Sequence, residues 1–234
     1  MNMSQSLLSF CLMNARFVRN KTAMLMDYIC DLKADLYAMT ETWLTENDAS
    51  VRVELIPDGY NLLDQPRVGR GGGGTGLLYR NDLRVKKVES AEKNSFEFSE
   101  WIISSIGHDI RLFIIYRPPY SDEHQVPTSV FFTEFSEYLE SAVLSKENLL
   151  ISGDFNIRVD NIHDSDATKF SDLSGIFRSQ TTCDWTYAQR WPHLRSNLKR
   201  DALIVSYLRH LKLIAIYLTM HLYVASWPRK DPIC

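Results

Sequence analysis

The chain has 234 residues, 45% of them hydrophobic and 24% charged, the balance of a globular chain long enough for one large domain. Cys11, Cys30, Cys183 and Cys234 lack metal-ligand spacing, and no basic segment leads into an apolar core at the N-terminus. The expectations are therefore no disulfide framework, no signal peptide and an intracellular home, nuclear or cytoplasmic. The net charge of −3 hides a division, because residues 1–177 carry −9 and residues 178–234 carry +6; the acidic body gives no support to general duplex binding through charge alone.

The first element is a short apolar strand, Leu7 to Leu12, ending at Asn14-Ala15-Arg16. A helix follows over about residues 21–33, with Leu25, Ile29 and Leu32 at helical spacing. A buried strand, Leu36 to Met39, breaks at Thr40-Glu41-Thr42-Trp43, and the turn residues Pro57-Asp58-Gly59-Tyr60 precede an extended Asn61 to Asp64. Arg70 and the run Gly71–Gly74 lead into a strand at Gly76 to Arg80. Further strands are expected at Val85–Val88, Phe96–Phe98, Trp101–Ile106 and Arg111–Tyr116, with turns at Asn81-Asp82 and Gly107-His108-Asp109. Phe131 to Leu144 is an amphipathic helix, and Leu149 to Ser152 a strand that stops at Gly153-Asp154-Phe155-Asn156. Antiparallel strands placed between two β/α segments predict a mixed-sheet sandwich with helices outside, not a doubly wound parallel fold.

Four of these strands stop at a polar residue able to bind metal or phosphate: Asn14, Glu41, Tyr116 and the pair Asp154/Asn156. Strands of a sandwich finish on a common rim, where loops build sites. One carboxylate plus an amide oxygen suffices to hold Mg²⁺, which keeps several waters. Phosphodiester hydrolysis then needs a positioned water, a base for it and donors for developing charge. Taken singly, each has an ordinary reading: Asn14 as a helix N-cap, Glu41 as a cap, Gly153–Asn156 as a β-turn. The glycine run is not followed by Gly-Lys-Ser/Thr and an opening helix, so it reads as a flexible connection and not a phosphate loop. His108, His124 and His163 fall in turns or loops and are expected to be solvated.

Leu12-Met13-Asn14-Ala15-Arg16, Thr40-Glu41-Thr42-Trp43-Leu44, Gly71 through Tyr79, Ile115-Tyr116-Arg117-Pro118-Pro119 and Ser152-Gly153-Asp154-Phe155-Asn156 occur in that order. Together they resemble the endonuclease/exonuclease/phosphatase superfamily, and specifically the endonuclease domain of non-LTR (LINE-type) retrotransposons, over roughly residues 7–177. The resemblance implies an α/β (α+β) fold: a four-layer sandwich of two mixed β-sheets flanked by helices, incomplete here at the C-terminus. It implies Mg²⁺ as cofactor and DNA as partner, with no membrane and no obligate protein partner. Carried over residue by residue, Glu41 is the main metal carboxylate, helped by Asn14. Tyr116 hydrogen-bonds the scissile phosphate, Asp154 orients or activates the attacking water, and Asn156 contacts the phosphate and stabilises its transition state. In such elements the domain nicks chromosomal DNA, and the freed 3′-hydroxyl primes reverse transcription.

The chain departs from that family after Phe177. The family continues with a Pro-Thr-His segment, a Thr-x-x-Asp strand and a terminal Ser-Asp-His, whose Asp–His pair is the acid/base couple. Residues 178–234 carry none of these, but hold three of the five tryptophans and the basic charge. Codons exist for Arg178–Lys199 that, read one nucleotide later, spell Gly-Leu-Lys-Gln-His-Val-Thr-Gly-Pro-Thr-His-Lys-Gly-Gly-His-Thr-Leu-Asp-Leu-Ile-Leu, the missing segment. A frameshift near Phe177 or Arg178 accounts for this, making residues 1–177 a truncated domain and 178–234 a non-homologous tail. Tyr217–Met220 hides Ser-Asp-His in the remaining frame, a shorter match. The tail's apolar run, Leu213–Trp227, is shorter than the roughly 20 residues of a membrane span and contains His221. The tail is expected to be irregular or helical and poorly packed. Function is thus a Mg²⁺-dependent DNA endonuclease by lineage, inactive as written. The alternatives are a catalytically dead remnant with residual metal or DNA binding, and a small-molecule phosphatase of the same superfamily.

Overall fold

A computed structural model describes residues 8–67, 69, 71–105, 108–157, 163–176, 204–208 and 215–218. The chain runs β1 (Leu8–Asn14), a 3₁₀ turn (Val18–Asn20), α1 (Thr22–Leu32), β2 (Leu36–Thr40), α2 (Ala49–Leu55), β3 (Tyr60–Gln65) and β4 (Thr75–Arg80). It continues with β5 (Arg84–Glu92), β6 (Glu97–Ser105), β7 (His108–Tyr116), α3 (Thr128–Ala142), β8 (Asn148–Asp154), α4 (Ser165–Ile176), β9 (Ile204–Leu208) and β10 (Ala215–Leu218). The strands form two five-stranded sheets, β3-β4-β2-β1-β9 and β10-β8-β7-β6-β5. Each is mixed: β1–β2 and β7–β8 pair in parallel, whereas β2–β4 and β6–β7 are antiparallel.

Side-chain alternation explains why the central strands are apolar on both faces. Phe10, Leu12, Leu36, Ala38 and Leu77 of the first sheet meet Trp101, Ile103, Leu112, Ile114 and Leu150 of the second. The opposite faces turn outward, Cys11, Met13, Tyr37 and Met39 onto Leu25 and Ile29 of α1 and Leu55 of α2. Phe98, Phe113, Ile115 and Ile151 pack against Phe131, Phe135, Tyr138 and Leu139 of α3 and Phe170 of α4. Two helical layers enclose two sheets, the four-layer sandwich the sequence predicts.

Several expectations are corrected. Phe96–Phe98 and Trp101–Ile106 are parts of one region, with β6 running unbroken from Glu97 to Ser105. His108 opens β7 and so does not sit in a turn. Helices α2 and α4 were not foreseen. Residues 204–208 form an antiparallel partner for β1, and residues 215–218 a parallel partner for β8. The expectation of irregular or helical structure is therefore corrected for these two stretches; most of the tail, including the codon-shifted segment 178–199, lies outside the described residues. Among the described residues, no helix is long and apolar enough to cross a membrane.

Candidate active site

Alternation also fixes which residue of each strand points between the sheets, and at one end of the sandwich the inward row turns polar. In the first sheet, Asn14 lies opposite Thr40, and Thr40 opposite Thr75. In the second, Asp154 lies opposite Tyr116, and Tyr116 opposite Glu97. All six are buried. Two rows of polar side chains thus face each other at the rim, directly above the apolar inter-sheet core. Thr75 and Ser99 share a 2.7 Å hydrogen bond across the gap, and the Trp101 indole donates to Ser99 at 3.0 Å, forming the floor.

Asn14 joins the two rows. Its Nδ2 donates to Glu41 Oε1 at 2.7 Å and to Asp154 Oδ2 at 2.7 Å, and its Oδ1 accepts from the Arg16 amide at 3.1 Å. The two carboxylate oxygens therefore lie within twice that shorter distance of each other. Asn14 is the last residue of β1 and caps no helix; Glu41 follows β2 directly. Tyr116, at the end of β7, is 6% exposed. Burial, then the Glu41 and Asp154 carboxylates, push its hydroxyl well above the usual tyrosine range, so at working pH it is a proton-bearing donor. Asn156 closes the group: its amide N–H donates to Asp154 Oδ1 at 3.1 Å, and its Nδ2 to the Arg117 carbonyl at 2.7 Å. All five residues singled out from strand ends are thus brought together.

The backbone is strained where these residues emerge. Arg16, Phe17, Glu41, Trp43 and Asn156 all have positive φ, between 40° and 73°, a conformation that costs a non-glycine residue of order 1–3 kcal/mol and collects at functional loops. What holds it is a zipper between loops: Ala15, Phe17 and Val18 amides donate to the carbonyls of Thr40, Glu41 and Thr42. The Trp43 and Thr42 amides donate in turn to the Gly73 and Gly74 carbonyls. The glycine run is therefore a packed support, which corrects its reading as a flexible connection. At Gly73, φ is +65° and a Cβ would lie 2.2 Å from Glu97 Oε1; at Gly74 it would lie 2.7 Å from Thr42 Oγ1.

Three contributors escaped the sequence reading. Arg67 and Glu97 form a buried ion pair at 2.5 Å, with each side chain 8% exposed, and the Arg67 guanidinium lies over the Tyr116 ring at 5.7 Å. Burial raises the Glu97 carboxyl, against the lowering by Arg67. Arg117, 5% exposed, donates to the Phe155 and Asn156 carbonyls at 3.0 and 3.2 Å and so shapes the turn that presents Asp154 and Asn156. The signal for Glu97 was its inward parity at a rim; Arg67 has no local signal. His124 is 8% exposed, which corrects the expectation that it is solvated; His163 is exposed.

The loop beyond Glu41 is anchored through Asp48, which accepts from Arg19 at 2.5 Å and from the Thr45 amide and hydroxyl. The Arg19 guanidinium, with lesser help from Thr45, holds this carboxyl well below the usual range although burial opposes it. A folded-state value below the unfolded one contributes stability that is present above about pH 4 and lost as pH falls further. Asp48→Asn should therefore cost more stability near neutrality than in acid, read by urea unfolding across pH. An equal cost at both ends would show that the ion pair contributes nothing through ionisation.

The donor set suits a hard divalent cation. Two carboxylates converge on the Asn14 Nδ2, with the Asn14 Oδ1 beside them accepting from the Arg16 amide, and Thr40 Oγ1 and Ser152 Oγ on the same inward rows are buried with no hydrogen-bond partner among the described residues. Among the described residues there is no cluster of three or more His, Cys, Asp or Glu, so any such centre rests on Glu41, Asp154 and Asn14.

Known proteins supply a frame for this geometry. The chain's fold is similar to that of the AP endonuclease LMAP from Leishmania major, with a TM-score of 0.54, 16% identity, and 78% of this chain and 70% of that chain covered. It is similar to the endonuclease domain of TRAS1, a telomere-specific non-LTR retrotransposon, with a TM-score of 0.53, 15% identity, and coverage of 72% and 70%. A family protein from Bacteroides thetaiotaomicron matches with a TM-score of 0.51, 13% identity, and coverage of 71% and 67%. No curated protein sequence matches the chain. At these identities the structures speak for the fold alone, but the sequence model described as "Endonuclease/Exonuclease/phosphatase family" matches residues 10–203, past the point where the motifs end. The chain belongs to the endonuclease/exonuclease/phosphatase family.

Proposed function

We propose that the chain descends from a Mg²⁺-dependent DNA endonuclease, the target-nicking domain of a non-LTR retrotransposon, and is catalytically impaired as written. The observation that carries this reading is the Asn14 amide shared between the Glu41 and Asp154 carboxylates at 2.7 Å each. Glu41 and, through its Oδ1, Asn14 would hold Mg²⁺, which when bound would supply charge neutralisation at the phosphate and a more acidic water. Tyr116, kept protonated, donates to the scissile phosphate. Asp154 accepts from and aims the attacking water, with its other oxygen fixed by the Asn156 amide. Asn156 contacts the phosphate and steadies the charge that develops there. The retrotransposon-like wording at Thr40–Leu44 and Ile115–Pro119 supports DNA over a small phosphate ester as the ancestral substrate. The codon-shifted reading of Arg178–Lys199 supports a lost acid/base couple.

Metal binding tests this without turnover. A ligand that binds only the folded state at about 100 times its Kd stabilises by about 2.7 kcal/mol, so Mg²⁺ should raise the melting temperature. Glu41→Gln should abolish that rise while melting no lower than the wild type in EDTA, since it relieves repulsion between two carboxylates. A Mg²⁺ response that survives Glu41→Gln would place the metal elsewhere.

A further inference from the structure

Beside the carboxylates stands a feature that phosphate chemistry does not use. Trp43 is 40% exposed, on a backbone with φ of 52°, two residues beyond Glu41. Phe17, with φ of 73°, is three residues beyond Asn14, and the two rings lie 5.4 Å apart at an interplanar angle of 54°. The Phe17 amide donates to the Glu41 carbonyl at 3.0 Å and the Trp43 amide to the Gly73 carbonyl at 2.9 Å, so both rings are pinned to the carboxylate loop. The Arg19 guanidinium covers the Phe17 ring at 5.9 Å, and its ion pair with Asp48 fixes it there. Arg16 and Lys21 flank Phe17 in the sequence, while the Arg19 charge is already paired with Asp48.

An exposed indole normally lowers its cost by folding onto the surface. Trp43 does lie beside Gly72, where a Cβ would stand 3.7 Å from its Cε2, yet it stays 40% exposed, held at the rim with Phe17 by two strained residues zipped to the Glu41 loop. Two residues span at most about 7 Å, about two base steps of 3.4 Å, so the step reaches the nucleotides flanking a phosphodiester seated at Asn14 and Glu41.

We propose that Trp43, backed by Phe17, is a stacking platform for one unstacked nucleobase next to the scissile phosphate. This rests on the proposed reading of the site as one for nucleic acid, and it deepens that reading. The ligand is a base-bearing strand with a base out of its stack, not a phosphate ester without a flat π-face. The platform does no chemistry; it binds and sets which nucleotides lie beside the metal.

The test is fluorescence anisotropy with labelled short DNA duplexes, one fully paired and one with a single bulged nucleotide, in Ca²⁺, which takes the same hard oxygen ligands. Stacking on an aromatic side chain is worth about 1–3 kcal/mol per base, a 5- to 150-fold effect. Wild type should prefer the bulged duplex by a factor in that range. Trp43→Leu, which keeps apolar bulk without a π-face, should erase the preference, weakening the bulged duplex far more than the paired one; Trp43→Phe should keep most of it. A preference unaltered by Trp43→Leu overturns the platform but leaves the endonuclease reading standing. If wild type binds neither duplex, the nucleic-acid reading falls and the platform with it. Thermal melts of Trp43→Leu, and of Trp43→Phe beside it, separate lost stacking from lost folding.

Discussion

In a plasmid-nicking assay with Mg²⁺ at neutral pH, the chain as written is expected to leave supercoiled DNA essentially intact. A version with the reading frame restored after Phe177 should nick it faster by roughly 10²–10⁴-fold, the usual contribution of a positioned general acid/base. Asn14, Glu41, Tyr116, Asp154 and Asn156 already converge, and on the proposed reading they would serve metal, water and phosphate. The proton for the leaving oxygen has no assigned donor, because Tyr116 is held too firmly protonated by burial and two carboxylates. Glu41→Ala should abolish nicking in the restored chain. Robust nicking by the chain as written, lost on Glu41→Ala, would show that a tail residue such as His193 or His210 has taken over the acid/base role.

The second large effect is on stability. Gly153 lies opposite Ile115 in the parallel β7–β8 pair, and a Cβ built on it would stand 2.0 Å from the Ile115 carbonyl oxygen. That obstacle is backbone, so no rotamer relieves it and the two strands must part. Overpacking of this kind costs typically 1–3 kcal/mol and occasionally more, so Gly153→Ala is expected to cost about 3 kcal/mol, against a total margin of about 5–15 kcal/mol. With a urea slope of about 1–3 kcal/mol per molar, the midpoint should fall by about 1 M or more. Ser152→Ala is the matched control, since its buried hydroxyl has no hydrogen-bond partner among the described residues and its loss should be nearly neutral. An unchanged midpoint for Gly153→Ala would mean the approach is not as tight as drawn.

Much of this architecture was legible because burial on both faces leaves continuous apolar runs, and a polar residue interrupting such a run is conspicuous. Asn14, Tyr116 and Asp154 each end a strand and stand out for that reason. Helix α2 was not legible: seven residues with one buried side chain, Leu55, leave no repeating stripe. α4 carries Ser165, Ser171, Ser174 and Gly175, which favour loops on intrinsic propensity, and it forms where Ala167 and Phe170 are buried. Arg67 pairs with a residue 30 positions away, a contact that only tertiary structure can make. The glycine run failed differently: its conformational freedom was recognised, but that freedom serves close packing against Glu97 and Thr42.

The facing polar rows have one more consequence. Asn14 and Glu41 come from the first sheet and the residue just after it, Tyr116 and Asp154 from the other, and the side chains packed between the sheets help set how the two slabs lie on each other. The gap across which Asn14 reaches Asp154 is therefore a gauge of that arrangement. A truncation at Trp101, which touches no candidate ligand, would detune the gauge from below. A cation seated among Asn14, Glu41 and Asp154 would work in reverse, as a rivet through both slabs that slows exchange of amide hydrogens deep in the sandwich.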